Sequence, residues 1–102
     1  GDKILVLGDM GELGADAKKM HAEIGAYAKA AGLNKLYCMG ELATEMAAGF
    51  GSGAEHCATP EAIAEKVLPQ LDNKKTVLVK GSRFMRMERV VNLLLAKQQQ
   101  VV

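Results

Sequence analysis

Short apolar runs alternate with longer amphipathic segments along the chain. Most of these runs are rich in Val, Leu or Ile, which is typical of strands that are covered on both faces. The predicted strands are Lys3–Leu7, Lys35–Met39, Glu55–Ala58 and Thr76–Val79. Because short loops join the runs to the segments between them, the pattern predicts an α/β fold: an open, mostly parallel Rossmann-like sheet with helices on both faces.

Apolar residues at helical spacing predict a helix after each strand. The predicted helices begin at Asp16, Glu41, Thr59 and Phe84 and end near Gly32, Ala48, Pro69 and Lys97. Asp16 and Thr59 are the expected N-caps, the second followed by a proline. The residues expected to face the sheet are, in the first helix, Met20, Ile24, Tyr27, Ala28 and Ala31, and in the last, Met87, Val90, Val91, Leu94 and Leu95.

Composition narrows the class of protein. The 102 residues suit one domain, and a formal net charge of +1 with 4% aromatic residues gives no indication of a nucleic-acid partner. No apolar run approaches the roughly 20 residues that cross a bilayer, so no membrane-spanning segment or membrane partner is expected.

Cys38 and Cys57 lie in strand runs, which favours buried free thiols and a reducing cytoplasm. Their spacing matches no zinc-binding pattern.

Lys80, Gly81, Ser82 and Arg83 directly follow the last predicted strand. In open parallel sheets ligands bind beyond the carboxyl ends of the strands, and a helix amino terminus there favours anions. This segment, the basic turn, is therefore interpreted as the holder of a small anion or carboxylate. The alternative is an ordinary strand-to-helix turn in which Ser82 caps the helix and water solvates both cations.

A glycine-rich loop, Gly8–Gly14, follows the first predicted strand and carries Asp9 and Glu12. Its glycines recur every third residue, unlike the G-x-G-x-x-G of dinucleotide sites, and its acids would repel a pyrophosphate. The chain contains no P-loop sequence either. Since parallel strands end at one edge of a sheet, this acidic loop should meet the basic turn there and suit a zwitterion. In the alternative, both acids cap or solvate their own loop.

His21 lies about one turn into the first predicted helix. Its side chain could support the acidic loop, or it could be a hydrogen-bonded structural residue, because geometry has to be known before a histidine is named as a base. No set of nucleophile, histidine and acid is evident, so no catalytic residue is assigned within the chain.

Two signatures resemble the C-terminal domain of the Mur ligases. The first is G-D-M-G-E-L-G at Gly8–Gly14, followed by His21 and Gly25. The second is V-K-G-S-R at Val79–Arg83, with Met87-Glu88 beyond it. Within that family the pair matches best the member that joins D-alanyl-D-alanine to UDP-N-acetylmuramoyl-tripeptide.

The resemblance implies an ATP-dependent ligase of bacterial peptidoglycan synthesis, cytoplasmic and expected to be a monomer. Of its three domains, residues 1–102 would be the last, incomplete on its N-terminal side. The absent domains would bind the UDP-sugar and, with magnesium, ATP. Lys80, Ser82 and Arg83 would orient the carboxylate of the dipeptide, and Asp9 would hold its ammonium group. The chain alone is expected to be inactive and to hold no cofactor.

One departure from the family pattern is expected to matter. Family members carry a further strand and helix before the acidic loop, and this chain begins after them. An exposed sheet edge would favour self-association. Two other classes stay open, namely a free-standing α/β module that binds a phosphate or nucleotide at the same edge, and a structural domain that mediates protein contacts.

Overall fold

A computed structural model describes residues 3–10, 14–71, 76–81 and 86–99. These residues form four strands, β1 (Lys3–Gly8), β2 (Lys35–Met39), β3 (Ala54–His56) and β4 (Thr76–Lys80). The strands make one sheet in the order β3-β2-β1-β4, and every neighbouring pair is parallel. The predicted α/β class is confirmed, and the strands begin and end within two residues of their predicted bounds.

A helix follows each strand. The helices are α1 (Ala17–Ala30), α2 (Ala43–Phe50), α3 (Pro60–Val67) and α4 (Glu88–Gln99). Short 3-10 turns, Gly14–Asp16 and Leu68–Gln70, precede α1 and follow α3. The second of these contains Pro69, where the sequence predicts that the helix weakens.

Strand alternation divides the core into two layers, one on each face of the sheet. Successive strand residues point to opposite faces, so Ile4 and Val6 join one layer while Leu7 joins the other. One layer packs against α3 and α4, and it is completed by residues such as Ile63 and Val90. The other layer packs against α1 and α2. Its buried residues are Leu7, Ala28, Leu36, Cys38, Ala43, Met46 and Phe50.

The buried face of α1 differs from the predicted one. His21, Gly25 and Ala28 are its buried residues, whereas Met20 is 38% and Tyr27 77% exposed. The prediction followed the largest apolar side chains. In the structure α1 instead presents small residues to α2, because the two helices approach closely at Gly25. Tyr27 was therefore placed wrongly in the core, and Met20 and Ala31 are exposed as well. Ala28 is buried and Ile24 packs against the core, as predicted.

The first turns of the helices confirm one predicted cap and correct another. The Thr59 side chain accepts a hydrogen bond from the Ala62 amide at 3.1 Å, and Pro60 follows it, as predicted. Asp16 makes no side-chain capping bond within the described part of the chain, because it belongs to a 3-10 turn instead of an extended N-cap. Asp16 thus occupies the predicted N-cap position of α1, but without the side-chain capping bond.

The last helix begins later than predicted. The expected start, Phe84, lies outside the described residues, and Arg86 has φ of 51°, which a helix does not allow. The helix therefore starts at Glu88. The predicted inward residues Met87, Val90 and Leu94 are buried, but Val91 and Leu95 are 37% and 51% exposed.

Candidate functional site at the carboxyl edge of the sheet

The acidic loop and the basic turn begin side by side. β1 and β4 are neighbouring parallel strands, with Leu7 paired to Lys80. One residue further along each strand, a Cβ placed on Gly81 would lie 3.4 Å from the Gly8 nitrogen. The predicted convergence of the two segments at one edge of the sheet is therefore confirmed for the residues that the structure describes.

Lys80 and Asp9 belong to the same face of the sheet. Lys80 is exposed and pairs in register with Leu7, whose side chain lies in the layer under α1 and α2. Asp9 is two residues beyond Leu7, and its carboxylate reaches the first turn of α2 on that face. An acid and a base thus flank this part of the edge. Ser82, Arg83 and Glu12, the other predicted site residues, lie outside the described residues.

The Asp9 carboxylate accepts two backbone hydrogen bonds from the start of α2. Oδ2 accepts from the Leu42 amide at 3.0 Å and Oδ1 from the Ala43 amide at 2.7 Å. The first amides of a helix have no partner within the helix, and its positive end favours a carboxylate. The prediction that Asp9 holds a substrate ammonium group is not tested by this geometry and stays a prediction.

His21 is fully buried, and both of its ring nitrogens contact the main chain. Its Nε2 accepts a hydrogen bond from the Met10 amide at 3.1 Å, so Nδ1 carries the hydrogen and donates it to the Ala17 carbonyl at 2.6 Å. An imidazole with this tautomer joins Met10 of the acidic loop to the first turn of α1. This geometry is that of a hydrogen-bonded structural residue which supports the acidic loop.

His56 adds a contact that the sequence did not suggest. Its Nε2 lies 2.7 Å from the Gly40 carbonyl, which can only accept a hydrogen bond, so the imidazole donates it. His56 ends β3 and Gly40 follows β2, and the bond therefore ties the ends of two neighbouring strands. The sequence placed His56 inside the predicted strand Glu55–Ala58 and gave no signal of this contact.

Both cysteines are free and buried, as predicted. They belong to opposite layers of the core, with Cys38 on the side of α1 and α2 and Cys57 on the side of α3 and α4. The pKa of the Cys38 thiol is raised to about 12, mainly by burial and to a smaller extent by the charges of Cys57 and Asp9 nearby. Burial also raises the pKa of Cys57. Neither thiol has the depressed pKa of a reactive cysteine.

The described residues contain neither a candidate metal cluster nor a helix that could cross a membrane. No group of three or more His, Cys, Asp or Glu side chains is arranged to hold a metal ion in the part of the chain that the structure covers. Within the same part, none of the helices combines the length and the apolar character needed to cross a membrane.

The sheet order, the helices on both faces and the charged carboxyl edge define an α/β domain of the Rossmann-like class. A family model described as "Mur ligase, glutamate ligase domain" matches residues 1–83. The chain therefore belongs to this Mur ligase domain family.

Relatives and solved structures agree with that assignment. Over 96 residues, 92% of the chain, it is 38% identical to UDP-N-acetylmuramoyl-tripeptide--D-alanyl-D-alanine ligase of Escherichia coli, of which it covers 21%. Over 93 residues, 89% of the chain, it is 39% identical to the ligase of the same name from Buchnera aphidicola, of which it covers 20%. The fold matches MurF ligase from Thermotoga maritima in complex with ADP with a TM-score of 0.87. That match has 27% identity and covers 100% of this chain and 23% of the other. The chain thus spans about a fifth of the length of these relatives.

Proposed function

We propose that the chain is the C-terminal domain of an ATP-dependent ligase and closes over the substrates. The ligase joins D-alanyl-D-alanine to UDP-N-acetylmuramoyl-tripeptide in peptidoglycan synthesis. Membership of the Mur ligase domain family supports the proposal, as do two relatives that bear this activity in their names. The observation that carries it is the meeting of Gly8 and Gly81, because it brings an acidic loop and a basic turn to one edge. A zwitterionic dipeptide needs both signs of charge within a few ångströms.

The proposed reaction consumes ATP in two chemical steps. The tripeptide carboxylate takes the γ-phosphoryl group of ATP and becomes an acyl phosphate, releasing ADP. The dipeptide amine then attacks the acyl carbon, and the tetrahedral intermediate expels phosphate as the amide forms. The dipeptide must be held with its amine facing the acyl phosphate, since correct orientation supplies much of the rate of such a step.

The basic turn would hold the other end of the dipeptide. Lys80 supplies an exposed ammonium group directly at the end of β4, and Ser82 and Arg83 follow it in the sequence. A hydroxyl and two cations would orient a carboxylate through charge-assisted hydrogen bonds. Gly81 is closely packed at this point, because a Cβ placed on it would overlap the Met87 side chain and touch Gly8.

ATP and magnesium are assigned to other parts of a longer enzyme. The described residues include no cluster of three acids, histidines or cysteines for a metal, and the whole sequence has no P-loop. No step of this proposal within the chain depends on magnesium. The proposal places the enzyme in the bacterial cytoplasm, which the two buried free thiols support.

A chimera tests the proposal. The matched segment of the Escherichia coli ligase would be replaced by the corresponding part of this chain, and the KM values for dipeptide and UDP-tripeptide measured. Lys80→Ala should raise the dipeptide KM about tenfold or more and leave the UDP-tripeptide KM nearly unchanged. Lys35→Ala is the control, because Lys35 is also exposed but starts β2 at the opposite edge. Equal effects of Lys80→Ala on both substrates, or an equal effect of the control, would contradict the placement of the carboxylate.

A further inference from the structure

We propose that Asp9 is a positioning residue, which ties the acidic loop to the start of α2 and thereby fixes the carboxyl edge. The tie joins residues far apart in the sequence, since Asp9 lies 33 and 34 positions before its partners Leu42 and Ala43. The inference rests on the proposed function only for the identity of the ligand.

The start of α2 lacks a local capping residue. The residues before it are Gly40, Glu41 and Leu42, none of which is the Ser, Thr, Asp or Asn that usually caps a helix. Leu42 has helical dihedral angles and makes no side-chain capping bond. The Asp9 carboxylate, delivered from a different strand, serves the amides that a local cap would otherwise serve.

Gly40 lies in close contact with the Asp9 carboxylate. Its φ of +116° lies in the region that favours glycine, and a Cβ placed on it would overlap the Asp9 carboxylate. The turn between β2 and α2 therefore has both a backbone conformation and a space that only glycine satisfies. A side chain at Gly40 would push the carboxylate away from the amides of Leu42 and Ala43.

The same loop is held from its other side. Directly after Asp9, the Met10 amide donates to the buried His21 of α1. Asp9 and Met10 are thus fixed to α2 and to α1 respectively, and those two helices pack closely at Gly25 and Gly49. Residues 9–10, α1 and α2 form one connected unit beside the basic turn. A carboxylate that moved to bind a ligand would give up both bonds to α2.

Amide hydrogen exchange in the 102-residue chain tests the tie. Asp9→Ala should accelerate exchange at Leu42 and Ala43 about tenfold or more, and Asp9→Asn, which keeps one acceptor oxygen, should have an intermediate effect. Asp16→Ala is the matched control, an exposed acid with no capping bond to the described part of α1. Gly40→Ala should reproduce the Asp9→Ala effect, and the double variant should add little because both break one interaction. Unchanged exchange at Leu42 and Ala43 would overturn the proposal.

Ligand binding separates positioning from direct contact. The wild-type chain and Asp9→Asn would be titrated with D-alanyl-D-alanine and with its N-acetyl derivative, which lacks the ammonium group. Positioning predicts that Asp9→Asn weakens both ligands by the same factor, about threefold to tenfold. Weakening of the free dipeptide alone would overturn it in favour of direct contact, and unchanged binding of both would reduce Asp9 to a purely structural role. If the wild type binds neither ligand, the proposed function fails at this edge, and the exchange measurement still decides whether the tie exists.

Discussion

Gly25 in α1 lies directly against the main-chain carbonyl of Met46 in α2. A Cβ placed on Gly25 would overlap that oxygen, and one on Gly49 of α2 would overlap the Ala22 carbonyl of α1. Two glycines, one from each helix, therefore set the separation of α1 and α2. The contact also determines where the first turn of α2 lies, and hence which amides Asp9 reaches.

Gly25→Ala tests this contact, because the contact and helix propensity predict opposite changes in the free energy of unfolding. Helix propensity alone predicts that the substitution stabilises the fold by about 1 kcal/mol. Overpacking against a main-chain atom should outweigh that gain, so we expect a net loss of about 1–3 kcal/mol in the free energy of unfolding, measured with urea. Ala26→Gly, at an exposed neighbouring position of α1, measures the propensity effect without the contact. A more stable Gly25→Ala chain would contradict the close approach.

The cap of α3 predicts a difference between two conservative substitutions. Thr59→Ala removes the hydroxyl that accepts from the Ala62 amide and should cost about 1 kcal/mol of unfolding free energy. Thr59→Ser keeps that acceptor and should cost no more than about half as much. Equal losses in the two variants, measured by urea unfolding, would show that the hydroxyl does not stabilise the helix.

The two histidines should differ in their effects on stability. His21→Leu removes the fully buried imidazole that bonds the partly buried Met10 amide and Ala17 carbonyl, which should cost about 1–3 kcal/mol. His56→Leu removes one hydrogen bond at an exposed position, and water can replace that bond, so a loss below about 1 kcal/mol is expected. Thermal or urea unfolding of both variants gives the comparison. A larger loss for His56→Leu would contradict the buried role of His21.

Stability should fall in alkaline solution because of Cys38. Its pKa is raised by burial from 9.0 to about 12 in the folded chain, so the unfolded thiol ionises first as pH rises. The unfolded state then binds fewer protons than the folded state, and the free energy of unfolding decreases between these two pKa values. Below the lower one, this thiol gives no pH dependence.

Cys38→Ala isolates that contribution. Urea unfolding of the variant and the wild type at about pH 8 and about pH 10 should show a smaller alkaline loss in the variant, because other ionising groups contribute equally to both. Iodoacetamide provides a second measurement, since a buried thiol of high pKa should react only after unfolding. Rapid alkylation of Cys38 in the folded chain would contradict its burial.

Much of the fold could be predicted because its signals are local. The apolar runs of β1 and β2, and the Thr59-Pro60 start of α3, depend on neighbouring residues and hold in the structure. The buried face of α1 could not be predicted in this way. It depends on the approach of α2 at Gly25, and a glycine has no hydrophobic signal that would mark it as core.

The candidate site likewise has one feature that the sequence could predict and one that it could not. The meeting of the acidic loop and the basic turn follows from parallel strands, and the sequence indicated it. The hydrogen-bond partners of Asp9 could not be predicted, because nothing in the sequence around a carboxylate at a strand end indicates which amide, 33 residues away, it will reach. A helix start without a capping residue, as at Gly40-Glu41-Leu42, is the signal that could have suggested a cap from elsewhere in the chain.

Titration of the 102-residue chain with D-alanyl-D-alanine, followed by amide chemical shifts, tests the shared carboxyl edge most directly. We expect shifts that cluster at Gly8–Gly14 and Lys80–Arg83, with none at Asn34 or Gly53, which precede strands at the opposite edge. A parallel titration with ATP should leave these two segments nearly unaffected. Dipeptide shifts confined to the opposite edge, or shifts caused by ATP alone, would contradict a zwitterion site between the acidic loop and the basic turn.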